Sequence, residues 1–327
     1  MQTFESFAPD LYPLNDFAFN EIALRLFHFQ AEGNPVYKQY LTQIGVSSGQ
    51  IAAVSQIPFL PITLFKSHEI ITGQWRPEAV FTSSGTGGQS VSRHAVPSRE
   101  FYYHHCQRIF EDTYGPLSRF HVFCLLPSYL ERTGSSLVAM ASHFIAESHS
   151  PASGFFLNDL DRLVKELEVI RDDRQVLLLG VTFALLQLAE QYEVDLSKCI
   201  VMETGGMKGR RPEITREELH EILKRSFNVQ KVHSEYGMTE LLSQAYSSGD
   251  GLFRCPASMR LILKEVNDPF STEMRLAGII NVVDLANTHS CAFIETQDLG
   301  RINHQGHFEV LGRIDTSDAR GCNLLVE

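Results

Sequence analysis

Short apolar runs alternate with helical stretches through the middle of the chain. Three runs are bounded by charged or glycine residues, which is typical of buried strands. They are QVLLLGV (175–181), CIVMETGG (199–206) and VQKVHSEYG (229–237). The two stretches between them, TFALLQLAEQY (182–192) and TREELHEILKRSF (215–227), have helical periodicity. This order and spacing predict βαβ units around a parallel sheet.

The second of these helices carries the clearest local signals. Thr215 and Glu218 form a capping-box pattern at its start. Leu219, Ile222 and Leu223 recur at helical spacing, so they predict its buried face. After about residue 258 the pattern changes to short strand-like runs, with NHQG (303–306) as a turn between two of them. This predicts a β-rich subdomain over about 258–312.

Composition narrows the classes of function. The chain has 327 residues, 43% of them hydrophobic and 20% charged, as in an ordinary globular protein. A net charge of −11 argues against a nucleic-acid partner, which needs a basic face. No run approaches the roughly 18 apolar residues of a membrane span, and no signal peptide is evident. The six cysteines are scattered without metal-site or disulfide spacing, which favours reduced thiols and a cytoplasmic location.

Three glycine-bearing segments each follow a strand-like run. They are FTSSGTGG (81–88), ETGG (203–206) and SEYGMTE (234–240). Ligands of open α/β sheets bind outside the carboxyl ends of strands, so these segments are predicted to converge on one crevice. Glycine N–H groups and nearby hydroxyls suit a phosphate. FTSSGTGG matches neither usual nucleotide fingerprint, however, and such clusters also occur in plain loops.

Five motifs, in this order, resemble signatures of the adenylate-forming superfamily, which includes acyl-CoA synthetases and aryl-CoA ligases. They are TSSGTGG (82–88), ETGG (203–206), YGMTE (236–240), TQDLGRI (296–302) and EVLGRID (309–315). IPFLPITLFK (57–66) is similar to the phenylacetate-CoA-ligase branch. The whole most resembles the acyl-protein synthetase (LuxE-type) family, a component of the fatty-acid reductase that feeds bacterial luciferase.

The resemblance implies a fold and a domain plan. The fold is an α/β adenylate-forming N-terminal domain, with mixed and parallel sheets, a β-rich subdomain, and no large C-terminal domain. Residues 1–312 would form the catalytic body, and residues 313–327 would form a short hinge and tail that carries Cys322. The activity would be ATP-dependent formation of an acyl-adenylate, followed by transfer to a protein thiol. The implied partners are a carboxylic acid of the fatty class and an acyl-accepting reductase.

The resemblance also assigns roles to residues, with ATP and Mg²⁺ as cofactors. The implied nucleotide-binding residues are Thr82, Ser83, Ser84, Gly85, Thr86, Gly87, Gly88, Gly205, Gly206, Tyr236, Gly237, Asp298 and Arg313. The loop from Thr82 would wrap the β- and γ-phosphates, Gly205 and Gly206 would line the adenine, and Tyr236 would stack on it. Asp298 would bind the ribose, with Arg313 at the hinge. The implied catalytic residues are Thr239 at the α-phosphate, Glu240 at Mg²⁺, and Cys322 as acyl acceptor.

Other interpretations stay open at the level of sequence. Tyr236 could be a core residue, Glu240 a surface charge at a helix start, and Asp298 a turn cap. The loop continues as QSVSR (89–93), where many relatives have a lysine, so Arg93, His94 or Lys66 are candidate replacements. An acyl- or aryl-CoA ligase and a non-catalytic nucleotide-binding scaffold are the alternative functions. The sequence does not identify the acid.

Overall fold

The computed structural model describes residues 15–84, 90–127, 134–205, 214–265 and 275–314. The chain divides into two compact units: unit 1 is Met1–Gln74 with Ala257–Glu327, and unit 2 is Trp75–Pro256. The predicted division into a catalytic body, 1–312, and a tail, 313–327, concerns roles in catalysis and stays a prediction.

The described part of the chain contains seven α-helices and thirteen strands. The helices are α1 (Asp16–Gly33), α2 (Pro35–Gln43), α3 (Arg99–Tyr114), α4 (Ser136–Glu147), α5 (Leu160–Val169), α6 (Thr182–Gln191) and α7 (Arg216–Phe227). The strands are β1 (Leu60–Pro61), β2 (Ala79–Thr82), β3 (Arg93–Val96), β4 (Phe120–Leu125), β5 (Gly154–Phe155), β6 (Gln175–Val181), β7 (Ile200–Thr204), β8 (His233–Tyr236), β9 (Ala245–Ser247), β10 (Met259–Lys264), β11 (Ala277–Asp284), β12 (Phe293–Ile302) and β13 (Phe308–Arg313).

Unit 2 contains a six-stranded sheet in the order β5-β4-β6-β7-β8-β9. The pairs from β5 through β8 are parallel, and β9 runs antiparallel to β8. Every residue of β4, β7 and β8 is buried. Parallel strands have this composition because helices cover both faces of their sheet. The prediction of an α/β fold with a parallel sheet built from βαβ units is therefore confirmed.

Helix α7 shows where the sequence prediction holds and where it is wrong. The capping box of Thr215 and Glu218 is present. Leu219 and Leu223 are buried as predicted, but Ile222 is 40% exposed. His220 occupies the buried face instead, because its ring lies beside the buried carboxylate of a sheet residue, Glu203.

The FTSSGTGG segment begins at the last two residues of β2, a strand that does not belong to the parallel sheet. Among the described strands, β2 pairs with β3 alone, in a two-stranded antiparallel hairpin with Thr82 opposite Arg93. The sequence predicts all three glycine segments at the ends of comparable strands. Only two of them end neighbouring strands of one sheet, and the third is the connection of a separate hairpin.

Unit 1 is built on a five-stranded sheet in the order β1-β12-β11-β10, with β13 also on β12. β10 to β13 form an antiparallel meander, and β1 joins β12 in parallel through Leu60 opposite Ile294. The predicted turn is present, because Gly306 N–H donates to the Asn303 carbonyl at 3.0 Å. The strand-like runs after residue 258 are thus strands.

A buried glutamine ties α1 to the segment between β11 and β12. Gln30 has no exposed surface. Its Nε2 donates to the carbonyl oxygens of Asn287 at 2.8 Å and Thr288 at 3.0 Å, and its Oε1 accepts from Ala292 N–H at 2.9 Å. Buried amides need such partners, so this position joins distant parts of the sequence in unit 1.

Two further features concern the described residues alone. None of their helices combines the length and hydropathy needed to cross a membrane. Their five cysteines are in the thiol state, and they contain no cluster of three or more metal-ligating side chains.

Candidate nucleotide-binding and active site

The ends of β7 and β8 bring two predicted nucleotide residues to one edge of the sheet. These strands are parallel neighbours, with Thr204 opposite Glu235. Gly205 follows β7 with a φ of 69°, and its carbonyl accepts a hydrogen bond from Thr182 Oγ1 at 3.1 Å. Tyr236 ends β8 and is 8% exposed. Ligands of open parallel sheets bind outside this edge, so the geometry suits a nucleotide.

Three hydrogen bonds hold the residues at the base of the predicted phosphate loop. We call these residues, Thr82, Ser83 and Ser92, the hairpin neck. Thr82 N–H donates to the Gly134 carbonyl, in the segment after β4, at 2.6 Å. Ser83 N–H donates to the Ser92 carbonyl at 3.1 Å, and Ser92 N–H donates to Ser83 Oγ at 2.9 Å. The Ser83 hydroxyl still has its own hydrogen to donate, and Ser84 is exposed beyond the neck. The predicted residues Gly85, Thr86, Gly87, Gly88, Gly206 and Cys322 lie outside the described residues.

A partly buried hydrogen bond joins the hairpin to the turn after β8. His94 lies on β3, and its Nδ1 is 2.8 Å from the Thr239 carbonyl oxygen. A carbonyl only accepts, so Nδ1 carries the proton. Burial lowers the pKa of His94 to about 4, so the ring is neutral at pH 7. His94 therefore holds the turn of Thr239 and Glu240 beside the hairpin, and it does not act as a cation there.

The other two candidate cations lie in different units. Arg93 is exposed and stands directly across the hairpin from Thr82, on the same face, beside the start of the predicted phosphate loop. Lys66 ends a short 3₁₀ helix of unit 1, Ile62–Lys66. Because like-facing cross-strand neighbours are close, the Arg93 side chain lies near the start of the predicted phosphate loop in unit 2.

Glu240 is neither on the surface nor at a helix start. It lies in the turn between β8 and β9, and it is 6% exposed. Carboxylate oxygens are the protein ligands that Mg²⁺ prefers. The chemistry of this residue therefore fits a magnesium ion at the predicted position.

Two further buried acids, which are not among the predicted site residues, flank the edge. The Glu235 carboxylate accepts a hydrogen bond from Thr204 Oγ1, and a Cβ added at Gly237 would collide with the same carboxylate. Glu203 is 3% exposed, and its Oε1 is 3.2 Å from Arg216 Nε. For Glu203 the available signal was an acidic residue at the end of the apolar run of β7, since buried charges need a partner.

Asp298 and Arg313 meet in unit 1. They are opposite each other on β12 and β13, with Arg313 Nε 3.9 Å from Asp298 Oδ1. Arg313 also donates to Gln297 Oε1 at 3.3 Å, and Asp298 N–H donates to Thr296 Oγ1 at 3.1 Å. The Asp298 side chain is 14% exposed, so it retains a limited surface for a ligand. Asp298 lies within a strand, and the turn-cap interpretation is wrong.

A serine, a histidine and an aspartate meet at the opposite, amino-terminal end of β4. His121 Nδ1 is 2.6 Å from Ser150 Oγ, and His121 Nε2 is 2.8 Å from Asp172 Oδ1. Ser150 Oγ also accepts Ala152 N–H at 3.2 Å within a turn, and Ser150 is 8% exposed. These contacts join two loops to the start of β4, away from the strand ends that carry the predicted site.

Buried neutral histidines make the stability of the fold sensitive to acid. Burial lowers the pKa values of His94 and His233 to about 4 and that of His105 to about 3. Between these values and about 6.5 the unfolded chain binds protons that the folded chain does not, so stability falls as the pH falls. Each such histidine lowers the free energy of unfolding by up to about 1.4 kcal/mol per pH unit over this range.

We expect urea unfolding of His94→Gln to show a shallower loss of unfolding free energy between pH 6.5 and pH 4 than the wild type. Equal slopes would contradict the neutral, buried state of His94.

Comparison with solved structures shows which known proteins share the fold of this chain. The chain matches no protein-family model and no curated protein. It is similar to a 2-hydroxyisobutyryl-CoA ligase in an open conformation, in complex with 2-HIB-AMP and CoA. The TM-score is 0.66 over 92% of this chain and 75% of the ligase, at 14% identity. ATP-bound MatB from Rhodopseudomonas palustris gives a TM-score of 0.53 over 72% of this chain and 48% of MatB, at 18% identity.

The chain has the N-terminal fold of adenylate-forming enzymes. At these identities the likeness is one of fold. Within this adenylate-forming fold, unit 2 brings the hairpin neck, Gly205, Tyr236 and the turn of Thr239 and Glu240 to one edge of the sheet. Unit 1 holds Asp298 and Arg313 side by side.

Proposed function

We propose that this protein activates a carboxylic acid with ATP and Mg²⁺, forming an acyl-adenylate, and passes the acyl group to a protein thiol. The observation that supports it is the hydrogen bond from His94 to the Thr239 carbonyl, at 2.8 Å. It holds the turn of Thr239 and Glu240 beside the hairpin that carries a loop of glycines and hydroxyls. A phosphate-binding loop and a magnesium ligand must be neighbours if a triphosphate is to be bound and activated.

The first step needs positioning more than proton transfer. A carboxylate is ionised at pH 7, so its oxygen can attack the α-phosphorus without a general base. The bond from that phosphorus to the bridging oxygen breaks, and pyrophosphate leaves. Hydroxyls at Thr82 and Ser83, together with the guanidinium of Arg93, would offset the negative charge that repels the attacking carboxylate. Glu240 would hold Mg²⁺, which when bound neutralises phosphate charge.

In the second step the proposed acceptor is the Cys322 thiolate. It attacks the acyl carbon, AMP leaves with the carboxylate oxygen, and the thiol proton goes to solvent. Three cysteines of the described residues are poorly suited to this role, because burial raises the pKa of Cys199 to about 11, that of Cys291 to about 12, and that of Cys124 further. The thiolate is the nucleophile, so such groups react slowly near pH 7. The acyl-accepting reductase would then take the acyl group from Cys322.

CoA is the alternative acceptor. The similar 2-hydroxyisobutyryl-CoA ligase is in complex with CoA, which is the observation that favours it. Acid-dependent exchange of pyrophosphate into ATP, measured across a panel of carboxylic acids, tests adenylation for either acceptor. Absence of exchange with every acid, with no ATP binding by calorimetry, would favour a non-catalytic role. AMP release that requires added CoA would favour the ligase.

Replacing Cys322 by Ser separates the two steps. With ATP, Mg²⁺ and a radiolabelled acid that supports exchange, we expect the wild type to carry a hydroxylamine-labile acyl label. Cys322→Ser should lose the label and keep exchange, since adenylation comes before transfer. Cys199→Ser is the matched control and should keep both. A label that persists in Cys322→Ser, or that moves to another cysteine, would show that Cys322 is not the acceptor.

A further inference from the structure

A row of contacting side chains in unit 2 ends at a predicted adenine residue. Its members are Glu203, Arg216, Phe253 and Tyr236. It begins at Glu203 on β7, which is 3% exposed. Glu203 Oε1 is 3.2 Å from Nε of Arg216, the first residue of α7, and 3.7 Å from Nε2 of His220, one turn later. The arginine contact is a charge-assisted hydrogen bond, whereas the histidine lies beyond hydrogen-bonding distance.

The row continues from the arginine to the aromatic ring that ends β8. The Arg216 guanidinium lies 5.1 Å from the centroid of the Phe253 ring. Phe253 is 1% exposed, and its ring meets Tyr236 edge-on with centroids 5.9 Å apart. A cation over an aromatic face and an edge-to-face ring pair are both attractive and directional. The Arg216 guanidinium therefore contacts both the Glu203 carboxylate, through Nε, and the face of the Phe253 ring.

The strand register explains why this row meets the predicted nucleotide site. Glu203 is opposite Ser234 in the parallel pair of β7 and β8. Tyr236 lies two positions further along β8. Side chains two residues apart point to the same face of a strand, so Tyr236 shares with Ser234 and Glu203 the face that α7 covers through Arg216. The row thus lies on the same face of the sheet as Tyr236, the residue predicted to stack on adenine.

We propose that Arg216 is a positioning residue for the nucleotide. By pairing with Glu203 and stacking on Phe253, it fixes the ring of Tyr236 in the orientation against which a purine base stacks. This inference rests on the proposed function, because it assigns ATP to this edge. It makes a distinct claim, however, since adenylation could proceed with a Tyr236 ring that needs no such support.

The chemistry of the row suggests variants that separate charge from packing. Removing Arg216 alone would leave Glu203 buried with a charge, and the fold would suffer for a reason unrelated to the nucleotide. Glu203→Gln removes that charge. In the Glu203→Gln background, Arg216→Met keeps a long side chain that packs on the Phe253 ring, because thioethers contact aromatic rings favourably. Arg216→Ala in the same background leaves that ring uncovered.

The test measures the KM values for ATP and for the acid, and kcat, in pyrophosphate exchange. We expect Glu203→Gln with Arg216→Ala to raise the KM for ATP about tenfold, with kcat and the KM for the acid changed less than twofold, as for a loss of uniform binding. Glu203→Gln with Arg216→Met should stay within about threefold of the wild-type KM for ATP. Arg225→Lys, at an exposed arginine of the same helix, is the control and should match the wild type.

Each outcome bears on the proposal. A folded Ala double variant with an unchanged KM for ATP would overturn it, as would equal KM values for ATP in the Met and Ala double variants. A purely structural role would lower kcat and the thermal midpoint with KM unchanged, which also overturns it. If the wild type shows no pyrophosphate exchange with any acid of the panel, the proposed function itself fails and this inference fails with it. Exchange in the wild type with no effect on KM in the variants would overturn the inference alone.

Discussion

Replacing Glu240 by Gln is expected to lower acid-dependent pyrophosphate exchange by roughly 10²- to 10³-fold, the usual cost of losing one charge-stabilising group. The carboxylate is 6% exposed and lies in the turn that His94 holds beside the hairpin. Glutamine has the same shape but no charge, so its oxygen is a weaker ligand for Mg²⁺. The concentration of Mg²⁺ needed for half-maximal exchange should therefore rise. Titrating Mg²⁺ at saturating ATP measures both effects.

An exposed acid of the same chemistry provides the control. Glu221 lies on α7 with its side chain 58% exposed. Glu221→Gln should leave exchange and its Mg²⁺ dependence unchanged, because surface ion pairs contribute little. The thermal midpoint of Glu240→Gln should be recorded as well, since a neutral amide replaces a buried carboxylate. A folded Glu240→Gln protein with the wild-type response to Mg²⁺ would remove Glu240 from the proposed metal site.

Gly237→Ala is expected to have the second large effect. The added Cβ would collide with the Glu235 carboxylate, which Thr204 holds by a hydrogen bond. Overpacking of this kind costs about 1–3 kcal/mol of stability. The turn that follows would also shift, and small displacements of positioned groups reduce rates by about 10²-fold. Exchange activity and urea unfolding, measured on the same preparation, test the two parts.

The matched control for this change is Gly49→Ala. A Cβ at Gly49 would meet no heavy atom within 4 Å, and its φ is not positive. Exposed glycines of that kind tolerate alanine without strain. We expect Gly49→Ala to retain full activity and stability. If Gly237→Ala behaved in the same way, Glu235 would have room to move, and the turn after β8 would not depend on it.

The sequence predicts most of the parallel sheet because its signals are local. The buried strand β6 is a continuous apolar run, and α7 begins at a capping box that needs no distant partner. Periodicity predicts Ile222 on the buried face of α7, but His220 lies there because Glu203 is nearby in space. A pattern of apolar residues cannot show which polar residue finds a buried partner.

Pairings between distant segments could not be predicted in this way. Nothing in AVFT (79–82) distinguishes a hairpin strand from a strand of the main sheet. The parallel contact of β1 with β12, through Leu60 and Ile294, joins residues far apart in sequence. The proximity of the hairpin to Thr239 depends on His94, whose role follows from burial. Tertiary contacts decided each of these features, and they leave little trace in local composition.

The discontinuity of unit 1 has a consequence for synthesis on the ribosome. The partners of Gln30, which are Asn287, Thr288 and Ala292, are translated only after the whole of unit 2. Unit 2 is one uninterrupted segment. Every strand of its sheet therefore emerges from the ribosome before the partners of the amino-terminal helices have been synthesised. Domains tend to fold as units while the chain grows. We therefore expect the central segment to fold first. The apolar surface of α1, α2 and β1 should stay exposed until β12 leaves the exit tunnel.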